Sequence, residues 1–192
     1  MPAPKILVIP GSTRAGSRNV KLAALAVKEL TLNDVEVTRI SLADYELPIY
    51  EAGIEVKTGL PANALKLKQM IMAHQGVLIA SPEYSASVAP LLKNAIDWVA
   101  QVRERGDPPY AAFKGRVFAI ASASGALGGV RSLMALRQIL ELGCGALVIP
   151  EQVSISSGDD AFDDMGNLAD TGSANLVRAQ LARLVEMARL MM

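Results

Sequence analysis

Five short apolar runs alternate with segments of helical period, and this alternation restricts the chain to very few folds. The runs are Ile6-Leu7-Val8-Ile9, a β-branched stretch holding Val35, Val37 and Ile40, Val77-Leu78-Ile79-Ala80, Val117-Phe118-Ala119-Ile120-Ala121 and Ala146-Leu147-Val148-Ile149. Four are continuous rather than alternating, as strands buried on both faces must be. Helical spacing marks Val20 to Leu30, Pro61 to Gln75, the face Val88, Leu91, Leu92, Ala95, Ile96, Val99 and Val102, a segment running through Leu142 to Gly143, and about Ala174 to Leu190. Ser17 or Asn19 is placed to cap the first of these helices, and Pro90 falls in the first turn of the third, where its missing N–H costs little. Strand–helix alternation joined by right-handed crossovers predicts a three-layer α/β sandwich around a five-stranded parallel sheet.

The strand ends locate the chemistry. Gly11-Ser12-Thr13-Arg14-Ala15-Gly16-Ser17-Arg18-Asn19 follows the first run, and Ser81-Pro82-Glu83-Tyr84-Ser85-Ala86-Ser87 follows the third. Both lie at the carboxyl edge of the sheet, where open α/β sheets take ligands. The first loop lacks the Gly-Lys-Ser/Thr of a Walker A sequence and the glycine spacing of a dinucleotide fingerprint. Its three hydroxyls, its guanidinium, the Asn19 amide and a helix N-terminus suit a single phosphate monoester, with an ordinary capped βα turn as the alternative. In the second loop Pro82 fixes the backbone and Tyr84 offers a surface for a planar ring, while Glu83 reads as a loop carboxylate or helix-end charge. A third loop, Ser122 to Gly129, has Gly125, Gly128 and Gly129, which permit close backbone approach or a plain flexible turn. A phosphate loop plus ring loops points to the flavodoxin-like strand order 2-1-3-4-5.

Composition narrows the function. With 19 basic and 19 acidic residues among 192, the chain has no net field to attract a polyanion, so nucleic acid is an unsupported partner. The apolar run after Lys5 is too short for a signal-peptide core, and nothing approaches a membrane span. Cys144 is the one cysteine and His74 the one histidine, which argues for a reducing, cytoplasmic setting and against a metal cluster. Cys144 reads as a packed thiol and His74 as structural. No Ser/His/Asp triad or paired general acid emerges, so the chemistry falls to a bound cofactor. The length fits one domain, residues 1–192. Ser41 to Gly59 is a long connection, Gly106 to Pro109 a surface break, and Ser156 to Gly172 a polar stretch before the last helix. The helix holding Lys93, Asp97 and Trp98 is left as either a solvated surface helix or a subunit contact.

Gly-Ser-Thr-Arg-Ala-Gly-Ser-Arg-Asn at 11–19, and Pro-Glu-Tyr-Ser-Ala-Ser at 82–87 running into Leu92-Lys93-Asn94-Ala95-Ile96-Asp97-Trp98, resemble the NADPH-dependent FMN reductase family, which includes quinone-, chromate- and azo-reducing members. The resemblance implies an FMN phosphate against Ser12, Arg14, Ser17 and Asn19. It implies a flavin ring against Pro82, Glu83, Tyr84 and Ser85, with Ser122 and Gly125 contributing from the third loop. Ser85 departs from the asparagine usual in the family. NADPH is the implied hydride donor, with Arg14 and Arg18 beside the edge where its phosphates arrive, and a flavin, quinone, azo compound or chromate is the implied acceptor. A homodimer or homotetramer is implied as well, with the Asp97–Trp98 helix near the interface. The competing class is a flavodoxin-like electron carrier without NADPH activity, which the neutral charge disfavours.

Overall fold

The computed structural model describes residues 2–156 and 161–192. Its main sheet is parallel and is built from β1 (Lys5–Pro10), β2 (Glu36–Arg39), β3 (Gly76–Ala80), β6 (Val117–Ala123) and β7 (Leu147–Ile155), in the order β2-β1-β3-β6-β7. Taken in chain order these five strands run 2-1-3-4-5, as expected. Two further strands, β4 (Glu83–Tyr84) and β5 (Ser87–Val88), form a small antiparallel hairpin within the second loop. The helices are α1 (Arg18–Leu30), α2 (Ile54–Thr58), α3 (Ala62–Met72), α4 (Pro90–Gln101), α5 (Val130–Gln138) and α6 (Thr171–Arg189).

Alternate residues of the central strands feed two separate cores, because successive side chains leave a strand on opposite faces. Ile6, Val8, Leu78, Ala119 and Ala121 pack with Leu22 and Ala26 of α1 and with Leu181 and Leu184 of α6. Leu7, Ile9, Val77, Ile79, Phe118 and Ile120 pack with Leu67 and Ile71 of α3, with Leu92, Ile96 and Val99 of α4, and with Leu133 and Leu136 of α5. Both faces are covered, which is why the runs are apolar throughout rather than alternating.

Several expectations are corrected in detail. The second strand stops at Arg39, and Ile40 only donates its N–H to Val8 O beyond it. The connection from Ser41 to Gly59 carries a 3₁₀ turn at Leu42–Asp44 and the short α2, too brief to show a period. The helix expected through Leu142 is α5 followed by a π turn, Ile139–Gly143. The last strand runs six residues past the expected Ile149, to Ile155, because its pairing with β6 shifts between Phe118–Val148 and Ile120–Gln152. Buried Gln180 donates Nε2 to Ile120 O and Glu151 O at 2.9 and 2.8 Å, satisfying carbonyls that the irregularity leaves open. α6 begins at Thr171, capped by the Asp170 carboxylate on Ser173 N–H. Of the polar stretch expected over 156–172, residues 157–160 lie outside the described residues.

Trp98 is fully buried within its own subunit. Its Nε1 donates to Pro48 O at 2.7 Å and its ring meets Tyr50 edge-on with centroids 5.2 Å apart. Asn94 completes the clamp, donating to Pro48 O and accepting from Tyr50 N–H. The long connection therefore covers Trp98. Lys93 and Asp97, an i,i+4 ion pair at 2.7 Å, form the outward face of α4. His74 and Cys144 are both buried; His74 Nδ1 lies 2.7 Å from Met70 O, and burial pushes the Cys144 thiol up to about 11.

Candidate functional site: a three-loop cleft at the carboxyl edge

Strands β1, β3 and β6 are neighbours in the sheet, so the loops leaving their carboxyl ends converge. They border an open cleft, about 490 Å³ with the solvent at its mouth included, lined by Ser12, Arg14, Ser17, Arg18 and Asn19 from the first loop, Pro82, Glu83 and Tyr84 from the second, and Ala123, Ser124 and Gly125 from the third.

The first loop is rich in donors without partners. Among the described residues the backbone N–H groups of Ser12, Thr13, Ala15 and Gly16 find no hydrogen-bond acceptor, whereas the Gly11 N–H is spent on Ala80 O at 2.8 Å. Ser17 stands at the N-cap of α1, yet its hydroxyl does not cap the helix, and Asn19 does not either. Arg14 is exposed and has no carboxylate within ion-pair distance among the described residues. Gly11 packs closely: a Cβ there would lie 3.0 Å from Leu92 Cδ2 and 3.1 Å from Pro82 Cδ, so those side chains would have to give way by a few tenths of an ångström. Free amides, a free hydroxyl, a guanidinium and the N-terminus of a 13-residue helix form a donor set for a phosphate.

Asn19 is used differently. It is buried, its Nδ2 donates to Ala123 O at 3.0 Å and to Ser124 Oγ at 3.4 Å, and its Oδ1 accepts from Ala123 N at 3.0 Å. Both donors are committed, so Asn19 lines the cleft but ties the first loop to the third and keeps no N–H to offer.

In the second loop Glu83 is a helix-end charge, one of the two readings open to it from sequence. Its carboxylate accepts from the N–H groups of Arg131 and Ser132 in the first turn of α5, at 3.2 and 3.3 Å, and from the Arg131 guanidinium. Arg131 beside it holds the Glu83 carboxyl below the usual carboxylate range, with the Ser132 N–H adding to the effect against an upward push from burial. Ser132 Oγ donates to Pro82 O at 3.0 Å and lies 2.9 Å from Ser81 Oγ, so the loop is locked to α5 by side chains and backbone together. Tyr84 is half exposed at the mouth of the cleft. Ser85 and Ala86 form the hairpin tip with φ of 48° and 62°, outside the cleft lining. Two successive non-glycine residues in the left-handed region are costly, since this turn normally selects Asn-Gly.

In the third loop Ser122 is a strand residue, fully buried, and its hydroxyl donates to Ser124 Oγ at 3.2 Å rather than lining the cleft. Gly129 has φ +82°, and a Cβ there would overlap the Ser122 hydroxyl. Eight of the ten residues singled out from sequence thus meet around one cleft, and Ser85 and Ser122 stand outside its lining. Ser124 and Arg131 escaped the sequence reading. Ser124 had a visible signal in its place between Ser122 and Gly125; the Arg131–Glu83 pair, 48 residues apart, had none. Among the described residues no group of three His, Cys, Asp or Glu is placed to hold a metal, and no helix is long and apolar enough to cross a membrane.

A doubly wound sheet with a phosphate-type loop at its first strand and a ring-type loop at its third defines a mononucleotide-binding protein of the flavodoxin-like class. Residues 4–160 match the family model for NADPH-dependent FMN reductases, and the chain belongs to that family. It is 37% identical over 183 residues to an NAD(P)H-dependent FMN reductase of Pseudomonas aeruginosa, covering 94% of this chain and 92% of the relative. It is 32% identical over 186 residues to a quinone reductase of Escherichia coli K12, covering 95% and 94%. Among solved structures, the flavoenzyme NAD(P)H:(acceptor) oxidoreductase of Paracoccus denitrificans superposes with a TM-score of 0.80 at 25% identity, covering 98% of both chains. The chain is accordingly an oxidoreductase that uses FMN and NAD(P)H.

Proposed function

We propose that the cleft takes FMN with its phosphate on the first loop and its ring on the second, and that the enzyme reduces a small-molecule acceptor, foremost a quinone. The observation that carries this reading is the set of unspent donors at residues 12–17 facing the Pro82–Tyr84 wall across one cleft. The donor set fits a phosphate dianion, and the open mouth beside Tyr84 leaves room for a donor or acceptor to reach the ring. FMN, when bound, supplies the redox chemistry, taking a hydride from NAD(P)H and returning two electrons to the acceptor.

The chain's own work is binding and orientation. Ser12, Arg14 and Ser17 hold the phosphate by charge and hydrogen bonds; Asn19 and Ser122 keep the loops in register. Pro82 and Tyr84 shape the ring's resting place, and Glu83, anchored on α5, fixes their backbone. Ser85 offers backbone groups from the hairpin tip, and Gly125 gives the third loop close access. Quinone leads because relatives so named share about a third of their residues with this chain over nearly its whole length; a flavin, azo compound or chromate is within reach of the same reduced cofactor. The whole chain is read as one domain working in a reducing, cytoplasmic setting, as a homodimer or homotetramer that covers the exposed Leu91 and Met134.

The deciding experiment is anaerobic stopped-flow mixing of FMN-loaded protein with NADPH and then with NADH. Rapid bleaching of the flavin band, followed by reoxidation with a benzoquinone, is the expected result. A bound flavin that neither donor reduces would replace the reductase by an electron carrier, and light scattering settles subunit number.

A further inference from the structure

The Ser124 hydroxyl is the point where the three loops meet. Its oxygen accepts from Asn19 Nδ2 of the first loop at 3.4 Å, from the Glu83 N–H of the second at 3.2 Å, and from Ser122 Oγ at the end of β6 at 3.2 Å. A serine oxygen has two lone pairs and one proton. The two nearer donors, the Glu83 N–H and the Ser122 hydroxyl, fill the two lone pairs, with Asn19 Nδ2 a longer contact secondary to its bond to Ala123 O, while among the described residues the Ser124 O–H donates to no protein group. Ser124 is only part-exposed and it lines the cleft, so the proton has an outlet there.

Its position along the cleft names the part of the ligand it meets. Ser124 is bonded on one side to Asn19, at the phosphate end, and on the other to the backbone of Glu83, at the ring end. The portion of a flavin mononucleotide that lies between phosphate and ring is the ribityl chain, whose hydroxyl oxygens accept hydrogen bonds. We infer that Ser124 is a further binding residue, donating its hydroxyl proton to the ribityl chain while its oxygen holds the three loops together. This rests on the phosphate-and-ring orientation proposed above.

A ligand series separates the two duties of the residue. FMN, riboflavin and lumiflavin share the ring, but riboflavin lacks the phosphate and lumiflavin lacks both phosphate and ribityl chain. Apoprotein is titrated with each, following quenching of flavin fluorescence, for the wild type and for Ser124→Ala. The expected result is a loss of about 5- to 10-fold for FMN and for riboflavin alike, the scale of one hydrogen bond, with lumiflavin affinity unchanged. An equal loss for lumiflavin would overturn the inference, since loosened loops weaken every ring ligand. No loss for any of the three would overturn it too. If the alanine variant does not fold, Ser124→Cys, close in size but a far weaker donor, carries the same comparison with the same readings. The orientation itself fails separately: wild-type protein would then hold riboflavin as tightly as FMN, because no phosphate donors would be engaged.

Discussion

In the first loop the amides of Ser12, Thr13, Ala15 and Gly16, the Ser17 hydroxyl and the Arg14 guanidinium have no partner among the described residues. Across the cleft, the second loop has spent its groups: the Glu83 carboxylate on two α5 amides and Arg131, the Glu83 N–H on Ser124, and Pro82 O on Ser132. One loop keeps donors to offer, whereas those of the other are taken up within the fold. The contrast separates binding from scaffolding. Polar groups that folding leaves unpaired at a helix N-terminus are open to a ligand or to water, and a carboxylate in the cleft wall can be there to hold that wall.

The largest expected effect that tests this contrast is on binding. Arg14→Ala should weaken FMN about 10- to 100-fold, the scale of a lost charge-assisted contact, with the thermal midpoint of the apoprotein unmoved. A fall in apoprotein stability of similar size would place Arg14 in the scaffold and break the comparison. Glu83→Ala should do the reverse, costing about 1–2 kcal/mol in a urea titration, chiefly from the orphaned Ser132 N–H and the α5 terminus rather than from the half-exposed guanidinium. The same variant has a pH signature. Arg131 holds Glu83 below its unfolded value, so its contribution is present above about pH 4 and is lost as pH falls through the folded value. The wild type should therefore lose stability on acidification more steeply than Glu83→Ala, and parallel acid limbs would refute the assignment.

Ser17→Ala sharpens the contrast at one residue. A serine at an N-cap ordinarily contributes about 1 kcal/mol to its helix. Here the hydroxyl makes no cap bond, so apoprotein stability should change by less than about 0.3 kcal/mol while FMN affinity falls about 5-fold. The smallest effect belongs to Ala86→Gly. Ala86 sits at φ 62°, and relief of that strain, offset by the greater freedom of glycine when unfolded, should raise stability by under about 1 kcal/mol. A loss of stability would show that Ala86 is not strained there.

The strands and the strand order were legible because burial on both faces writes an uninterrupted apolar run, which no tertiary detail erases. The carboxyl-edge loops were legible for the same reason, since each begins where such a run ends. Less was legible where a short element carries no period, as in α2, or where a strand outruns its apolar signal, as β7 does once Gln180 satisfies its irregular carbonyls. The connection over Trp98 was likewise unreadable, because its partners Pro48 and Tyr50 lie 50 and 48 positions away in a segment without pattern.

By itself the sequence determined the doubly wound fold, the edge that carries the cleft, and the residue types offered there. These depend on local hydrophobic pattern and on loop chemistry, which are properties of consecutive residues. Only the tertiary structure decided how those residues divide their labour. Asn19 was assigned to the third loop, Glu83 to α5 and Ser124 to the junction of all three loops. The reason is that a hydrogen-bonding group can serve a ligand only with what its folded neighbours leave unused, and neighbours 41 to 104 positions away are invisible to any local reading.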